Sequence, residues 1–211
     1  MDRTASPGRV YRGMTEADRQ ADRTERLLAA AFDLYGTQGF AATTIEQVCR
    51  EAGITARHFY EAFPSQAALF SALYTRLIDE AVVASLADID DQPPAEKLEL
   101  VLRNMFEHAI GDPRRARVLF IDVVQLPDTG SITGGMRRLA EVITGFYLTH
   151  LEATVHLDLD IHLTSLAIAG AYRELLTYGA AHPDEVASGS VAETAIAIGK
   201  RIILLPEASR S

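Results

Sequence analysis

Hydrophobic positions recur at steps of three and four along most of the chain, and no stretch alternates apolar with polar residues as a half-buried strand would. Near the start, Leu28, Ala31, Phe32 and Tyr35 mark one face of a helix, opened by Thr15 with Asp18 three residues on and closed at Gly36 and Gly39. A short helix follows. Thr43 or Thr44 caps it, Glu46-Gln47 stand where a capping-box partner belongs, Ile45 and Val48 give it an apolar edge, and Ala52-Gly53 ends it. Thr55 caps another brief helix, in which Ala56, Arg57 and His58 face outward while Phe59 and Phe63, four apart, pack inward. Pro64-Ser65 stops that helix and starts the next, which carries Leu69, Phe70, Leu73, Leu77 and Ile78 on its inner side towards Leu86. The pattern then predicts five more helices: 95–110 after Pro94, 113–126 capped by Asp112, a long one from 134 or 135 to 155 after a loop over 127–135, 162–180, and 190–204. The expected fold class is all-α, about nine helices in all, a three-helix unit followed by a larger helical part.

Two short helices joined by a tight glycine turn can place the second in a DNA major groove, although spacing alone fits a helical hairpin in any bundle equally well. The residues around the turn change that balance. Arg26-Leu27-Leu28-Ala29-Ala30-Ala31, Gly39-Phe40-Ala41-Ala42-Thr43-Thr44-Ile45, Ala52-Gly53-Ile54-Thr55 and Phe59-Tyr60-Glu61-Ala62-Phe63 resemble, in order and spacing, the TetR family of bacterial transcriptional regulators. The resemblance covers about residues 20–75, and beyond that it is architectural only.

Residues 1–14, with Pro7, Gly8, Gly13, three arginines and little apolar content, are expected to form a flexible arm; the resemblance implies a helix-turn-helix DNA-binding domain, bounded at 15–73 because the helix after Pro64 is shared, and a helical ligand-binding and dimerisation domain at 74–211. It also implies base-reading positions at Ala56, Arg57 and His58 and phosphate contacts at Thr44, Thr55 and Tyr60. Arg57 is the expected specificity residue, because a guanidinium can pair bidentately with guanine O6 and N7, whereas Tyr60 would only position the helix on a phosphate. The sequence departs from the family pattern once: Gln66 stands where a lysine is usual, and Glu61 lies close to the presumed DNA backbone. That loss of a cation is expected to weaken binding unless Arg3, Arg9 or Arg12 of the arm reaches phosphates or the minor groove.

Charge qualifies this expectation. The net charge of -9 is unevenly spread: residues 1–70 hold eight arginines against nine acids, and the remainder holds twelve basic residues against twenty acids. The first part is therefore near neutral rather than basic, which argues against strong non-specific affinity for DNA. With 48% hydrophobic residues, a mean hydropathy of +0.05 and no apolar run of spanning length or signal-peptide form, the chain is expected to be a cytoplasmic globular protein with no membrane partner. The lone Cys49 excludes an internal disulfide and is expected to be a small buried residue rather than a redox sensor.

In the acidic part, Val118-Leu119-Phe120-Ile121-Asp122-Val123-Val124 is apolar almost all round, so Asp122 lies inside the protein or at a rim and needs a partner. Arg103, Arg173 or a tyrosine would serve structurally; the alternative is a polar anchor in a ligand cavity. The expected cavity residues are Met105, Phe106, Phe120, Asp122, Gln125, Phe146, Tyr147, His150 and Tyr172, each of which singly is also an ordinary core residue.

Val191, Ala195, Ile198, Ile202 and Leu205 form one apolar face of the last helix, and Ala192, Ile196, Gly199 and Ile203 a second. Ala167, Ala169, Gly170 and Ala171 keep the preceding helix slim. Two such helices from each of two chains would build a four-helix homodimer interface, and a twofold dimer reads a pseudo-palindromic operator with half-sites about 34–36 Å apart. No histidine pair lies four apart on a helix, and there is no cysteine cluster, phosphate-cradling glycine loop or nucleophile elbow. The run Asp158-Leu159-Asp160-Ile161-His162 is better explained as a helix cap than as a metal site. No enzyme, metal or cofactor is expected. The function expected is a ligand-responsive regulator, a repressor rather than an activator, released by a small molecule, with a helical ligand- or protein-binding module lacking DNA function as the rival.

Overall fold

The computed structural model describes residues 15–125, 130–151, 159–187 and 189–203. All regular structure among them is helical. Helix α1 (Glu16–Gln38) starts at Thr15, whose side chain accepts the Asp18 N–H while Asp18 accepts the Thr15 N–H. It ends at Gly39, whose φ of 93° favours a residue without Cβ. Gly36, expected to help end the helix, is instead buried within it, where a Cβ would strike the side chain of Arg114.

Helices α2 (Ile45–Ala52) and α3 (Ala56–Ala62) form the hairpin. Thr44, not Thr43, is the α2 cap, in a reciprocal pair with Gln47. Thr43 is buried and donates its hydroxyl to the Gly39 carbonyl at 2.7 Å. Gly53 sits in the left-handed region at φ 63° and turns the chain into α3, which Thr55 caps. Phe59 is fully buried and Phe63, just past the end of α3, is 8% exposed, so both reach the core as the four-residue spacing predicts.

Helix α4 (Gln66–Ser85), capped by Ser65, runs continuously from the hairpin into the second half. Beyond it come α5 (Pro94–Ile110), α6 (Pro113–Ala116), α7 (Gly130–His150), α8 (Ile161–Ala181), α9 (Pro183–Ala187) and α10 (Ser190–Ile203). Helix α7 pairs with α8, and α10 packs on α5 and α8. Buried side chains of both halves join in one hydrophobic cluster running from Leu27 to Ile203.

Two expectations about the second half are corrected. The segment predicted as one helix over 113–126 is not a regular helix: after α6 it widens into a π turn, Arg117–Ile121, and then tightens into a 3-10 turn, Asp122–Gln125. The predicted loop over 127–135 is too long, because α7 already begins at Gly130. The five-residue α9, opened by Pro183, is too short to show a periodicity in the sequence. The arm at 1–14, Leu126, Val155, His156, Asp158, Leu204 and Leu205 lie outside the described residues.

Candidate functional site

The reading face is built on short capped helices. Thr44 and Thr55, exposed immediately before α2 and α3, spend their hydroxyls on backbone caps. Ala56 and Arg57 follow at the start of α3, both exposed, and the Arg57 side chain is 85% exposed. Its Nε donates to Glu61 Oε1 at 3.1 Å, one turn on. His58 is half-buried; its Nδ1 lies 3.1 Å from Thr55 Oγ1 and its Nε2 3.9 Å from Glu61. Tyr60 is 57% exposed and packs its ring edge against Phe59, at 5.3 Å and 84°. Ala56 and Tyr60, four apart, share one side of α3, with Arg57 next to them. The six positions expected to contact DNA thus all lie at or near the surface of one hairpin.

Two clamps that local sequence did not reveal hold this hairpin. Arg26 of α1 donates from Nη2 to the Ala52 and Gly53 carbonyls, at 2.5 and 3.2 Å, satisfying the C-terminus of α2 at the turn. Gln66, at the start of α4, donates to the Phe40 and Thr43 carbonyls at 3.2 and 2.8 Å. Gln66 therefore braces the loop between α1 and α2; a lysine here could not reproduce both amide hydrogen bonds with a neutral group.

The nominated ligand residues divide. Met105, Phe106, Phe120, Phe146, Tyr147 and Tyr172 are all buried in the one hydrophobic cluster, contributed by α5, the π turn, α7 and α8. His150 packs against Phe146, with ring centroids 5.0 Å apart and ring planes tilted by 41°. The Tyr172 hydroxyl meets no hydrogen-bond partner among the described residues, and burial pushes this phenol well above its ordinary pKa, so it remains a donor at neutral pH. Gln125 belongs to the 3-10 turn.

Asp122 does not belong with them. It is 1% exposed, but it accepts the Phe40 N–H at 2.9 Å and pairs with Arg117 at 3.5 Å. Arg103 and Arg173 are engaged elsewhere, with Glu99 and Glu174. Asp122 therefore links the second half to the first. A groove of about 210 Å³ between α1, α4 and α6, floored by Leu28, Phe32 and Leu77, contains none of the nominated ligand residues. Asp160 caps α8 through the Leu163 N–H at 2.8 Å, as the capping explanation of the acidic run requires.

Residues 27–73 match the model of the bacterial regulatory proteins of the tetR family. This segment is a TetR-family DNA-binding segment. Among curated relatives, the HTH-type transcriptional regulator RutR of Escherichia coli K12 is 24% identical over 102 residues, 48% of each chain. YerO of Bacillus subtilis, also named as an HTH-type transcriptional regulator, is 30% identical over 89 residues, 41% of this chain and 31% of its own. The chain thus spans about half the length of RutR, or less for YerO. The fold extends further. FadR of Bacillus subtilis, solved in complex with stearoyl-CoA, superposes over 85% of this chain and 98% of its own with a TM-score of 0.70 at 16% identity. Reduced NemR of E. coli does so over 89% and 100% with a TM-score of 0.66 at 15% identity. The TetR-like architecture therefore runs through both halves, well past the matched residues.

Proposed function

We propose that this chain is a homodimeric transcriptional regulator of the TetR family, a repressor, which reads a pseudo-palindromic operator through α3 and is released by a small, partly apolar molecule. The observation that carries the reading is the capped α2–turn–α3 hairpin with Arg57, 85% exposed, at the start of its second helix. Recognition helices of this motif contact base edges with their N-terminal residues, which here are Ala56, Arg57 and His58. Thr44, Thr55 and Tyr60 surround them as phosphate contacts. The head is residues 15–73, and α4 carries its C-terminal end into the regulatory half.

The effector site is placed among Met105, Phe106, Phe120, Phe146, Tyr147 and Tyr172, together with Gln125 and His150. The Tyr172 hydroxyl supplies a buried donor for a carbonyl or carboxylate. FadR, solved in complex with stearoyl-CoA, is a precedent for a protein of this fold binding a molecule with a long apolar chain. Effector and operator then oppose each other by one reciprocal coupling factor.

The test is selection from a random DNA library with the purified chain, followed by binding to the winner across a salt series. The expected result is a pseudo-palindrome bound with steep salt dependence, and an Arg57→Ala variant that loses preference at one base per half-site, worth about 1–3 kcal/mol of discrimination. Uniform weakening without lost preference would remove Arg57 from base reading. One observation favours the rival binding module: Arg19, Arg23, Arg26 and Arg57 of the head are all already paired with acids. Absence of any enriched motif would decide for it.

A further inference from the structure

Helix α1 lacks a basic residue in its last turn, so its exposed carbonyls and the negative end of its dipole have no cation of their own. The cation comes from far along the chain. Arg117, in the π turn, donates from Nη1 to the Thr37 carbonyl at 3.3 Å and from Nη2 to the Gln38 carbonyl at 3.4 Å. Gly39 leaves room for that guanidinium, since a Cβ there would collide with Arg117 Nη2. Asp122 then pairs with Arg117 Nε at 3.5 Å and takes the next available donor, the Phe40 N–H, at 2.9 Å. Two side chains from the regulatory half thus grip backbone groups at residues 37, 38 and 40.

The Phe40 peptide region is held from the other side as well, because its carbonyl accepts from Gln66 at the start of α4. The same Gln66 amide reaches Thr43, immediately before the α2 cap. A displacement of Phe40 therefore passes directly to the base of the reading hairpin. The π turn sets this up: the Asp122 N–H bonds to the Arg117 carbonyl five residues back. Reversion to a regular α-helix would remove one residue's advance and carry Asp122 about 100° round the axis, away from Phe40.

We propose that the Arg117–Asp122 pair is a positioning clasp, through which the regulatory half fixes where the reading hairpin sits without itself touching DNA. This rests on the DNA-binding reading above. Helix α4 gives the head one continuous attachment to the second half; the clasp, beside the Arg114–Asp33 ion pair, adds another at the C-terminal end of α1. A change of packing around Phe120, one residue from the end of the π turn, would move the clasp and so the head.

The test uses DNA as the probe, because coupling is reciprocal. Hydrogen exchange of the full chain is followed with and without the selected operator, in the wild type, Asp122→Ala, Asp122→Asn and Arg117→Gln. In the wild type, operator binding is expected to change amide protection over 117–122 as well as at the hairpin. Asp122→Ala is expected to abolish the distant change while leaving that at the hairpin. Asp122→Asn, which keeps an acceptor for the Phe40 N–H, is expected to retain part of it, and Arg117→Gln to reduce it. If Asp122→Ala fails to fold, by loss of its helical circular dichroism, the Asn and Gln variants carry the comparison. Operator binding by the wild type with no change over 117–122 overturns the clasp and leaves the regulator reading standing. No operator binding at all overturns that reading and the clasp with it.

Discussion

At the residue scale, the most informative side chains are those whose partners are far away in sequence. His108 on α5 is half-buried, and its Nε2 meets no partner among the described residues. Burial first, and the neighbouring Arg115 charge second, hold its pKa below the ordinary 6.5, with Glu80 opposing them. The unfolded chain then takes up a proton at His108 before the folded one does. The stability this contributes is fully present above pH 6.5 and is lost as pH falls through the depressed folded value. His108→Gln is expected to flatten the pH dependence of stability on the acid side of 6.5, read by urea unfolding at successive pH values; an unchanged slope would remove His108 from the acid response. Asp122 shows the limit of the sequence at this scale. Its apolar neighbours announced a buried carboxylate, correctly, but nothing nearby could name Arg117 and Phe40 N–H as its partners, because a bond across 82 residues is a property of the tertiary fold.

At the scale of elements, the caps were legible and the irregular segment was not. Thr15, Thr55, Ser65, Asp112 and Asp160 all cap as their position before a periodic run predicts, since a cap is a local bond between a side chain and the next turn. The widening at 117–121 breaks no local rule, and the apolar run there fits an α-helix equally well. Its contacts are all distant in sequence: Arg117 and Asp122 reach the end of α1, and Arg114, just before it, reaches Asp33 at 2.8 Å and lies over the Phe32 ring. Likewise Gln66 looked like a missing cation until its two carbonyl partners came into view. Glycines give a sharp test of this scale. Gly53 at φ 63° would force a Cβ into the left-handed region and to within 2.7 Å of Arg26 Nη2, so Gly53→Ala is expected to lower stability by about 1–2 kcal/mol. Gly145, exposed on α7 with open space around it, is expected to do the reverse, Gly145→Ala raising stability by about 0.5–1 kcal/mol. Urea midpoints moving in the same direction for both would contradict the assignment.

At the scale of the whole molecule, the apolar surface left over is where the proposed homodimer would form. Helix α10 buries Val191, Ala195, Ile196, Gly199 and Ile203 against its own protomer, which combines parts of the two faces expected from its sequence, while Ile198 and Ile202 are only half-buried and Ala197 stays exposed. On α8, Leu163 is 65% and Leu166 38% exposed, beside the open Gly170. A Leu166→Glu variant is expected to sediment as a monomer at micromolar concentration where the wild type sediments as a dimer, and to lose the avidity of two heads on one operator. A wild-type monomer would sink the homodimer.

The grip of Arg117 and Asp122 on residues 37–40 also bears on how such proteins can be recombined. The matched segment, 27–73, invites treatment as an interchangeable cassette, but its first loop is completed by side chains that lie more than forty residues beyond the cassette's end. A graft of this head onto a foreign body would leave the Phe40 N–H and the end of α1 without their partners, unless residues 114–122 travelled with it. New specificities assembled by exchanging heads would then need two non-contiguous pieces of chain, and lineages in which the two pieces drift apart would lose the option of such exchange altogether.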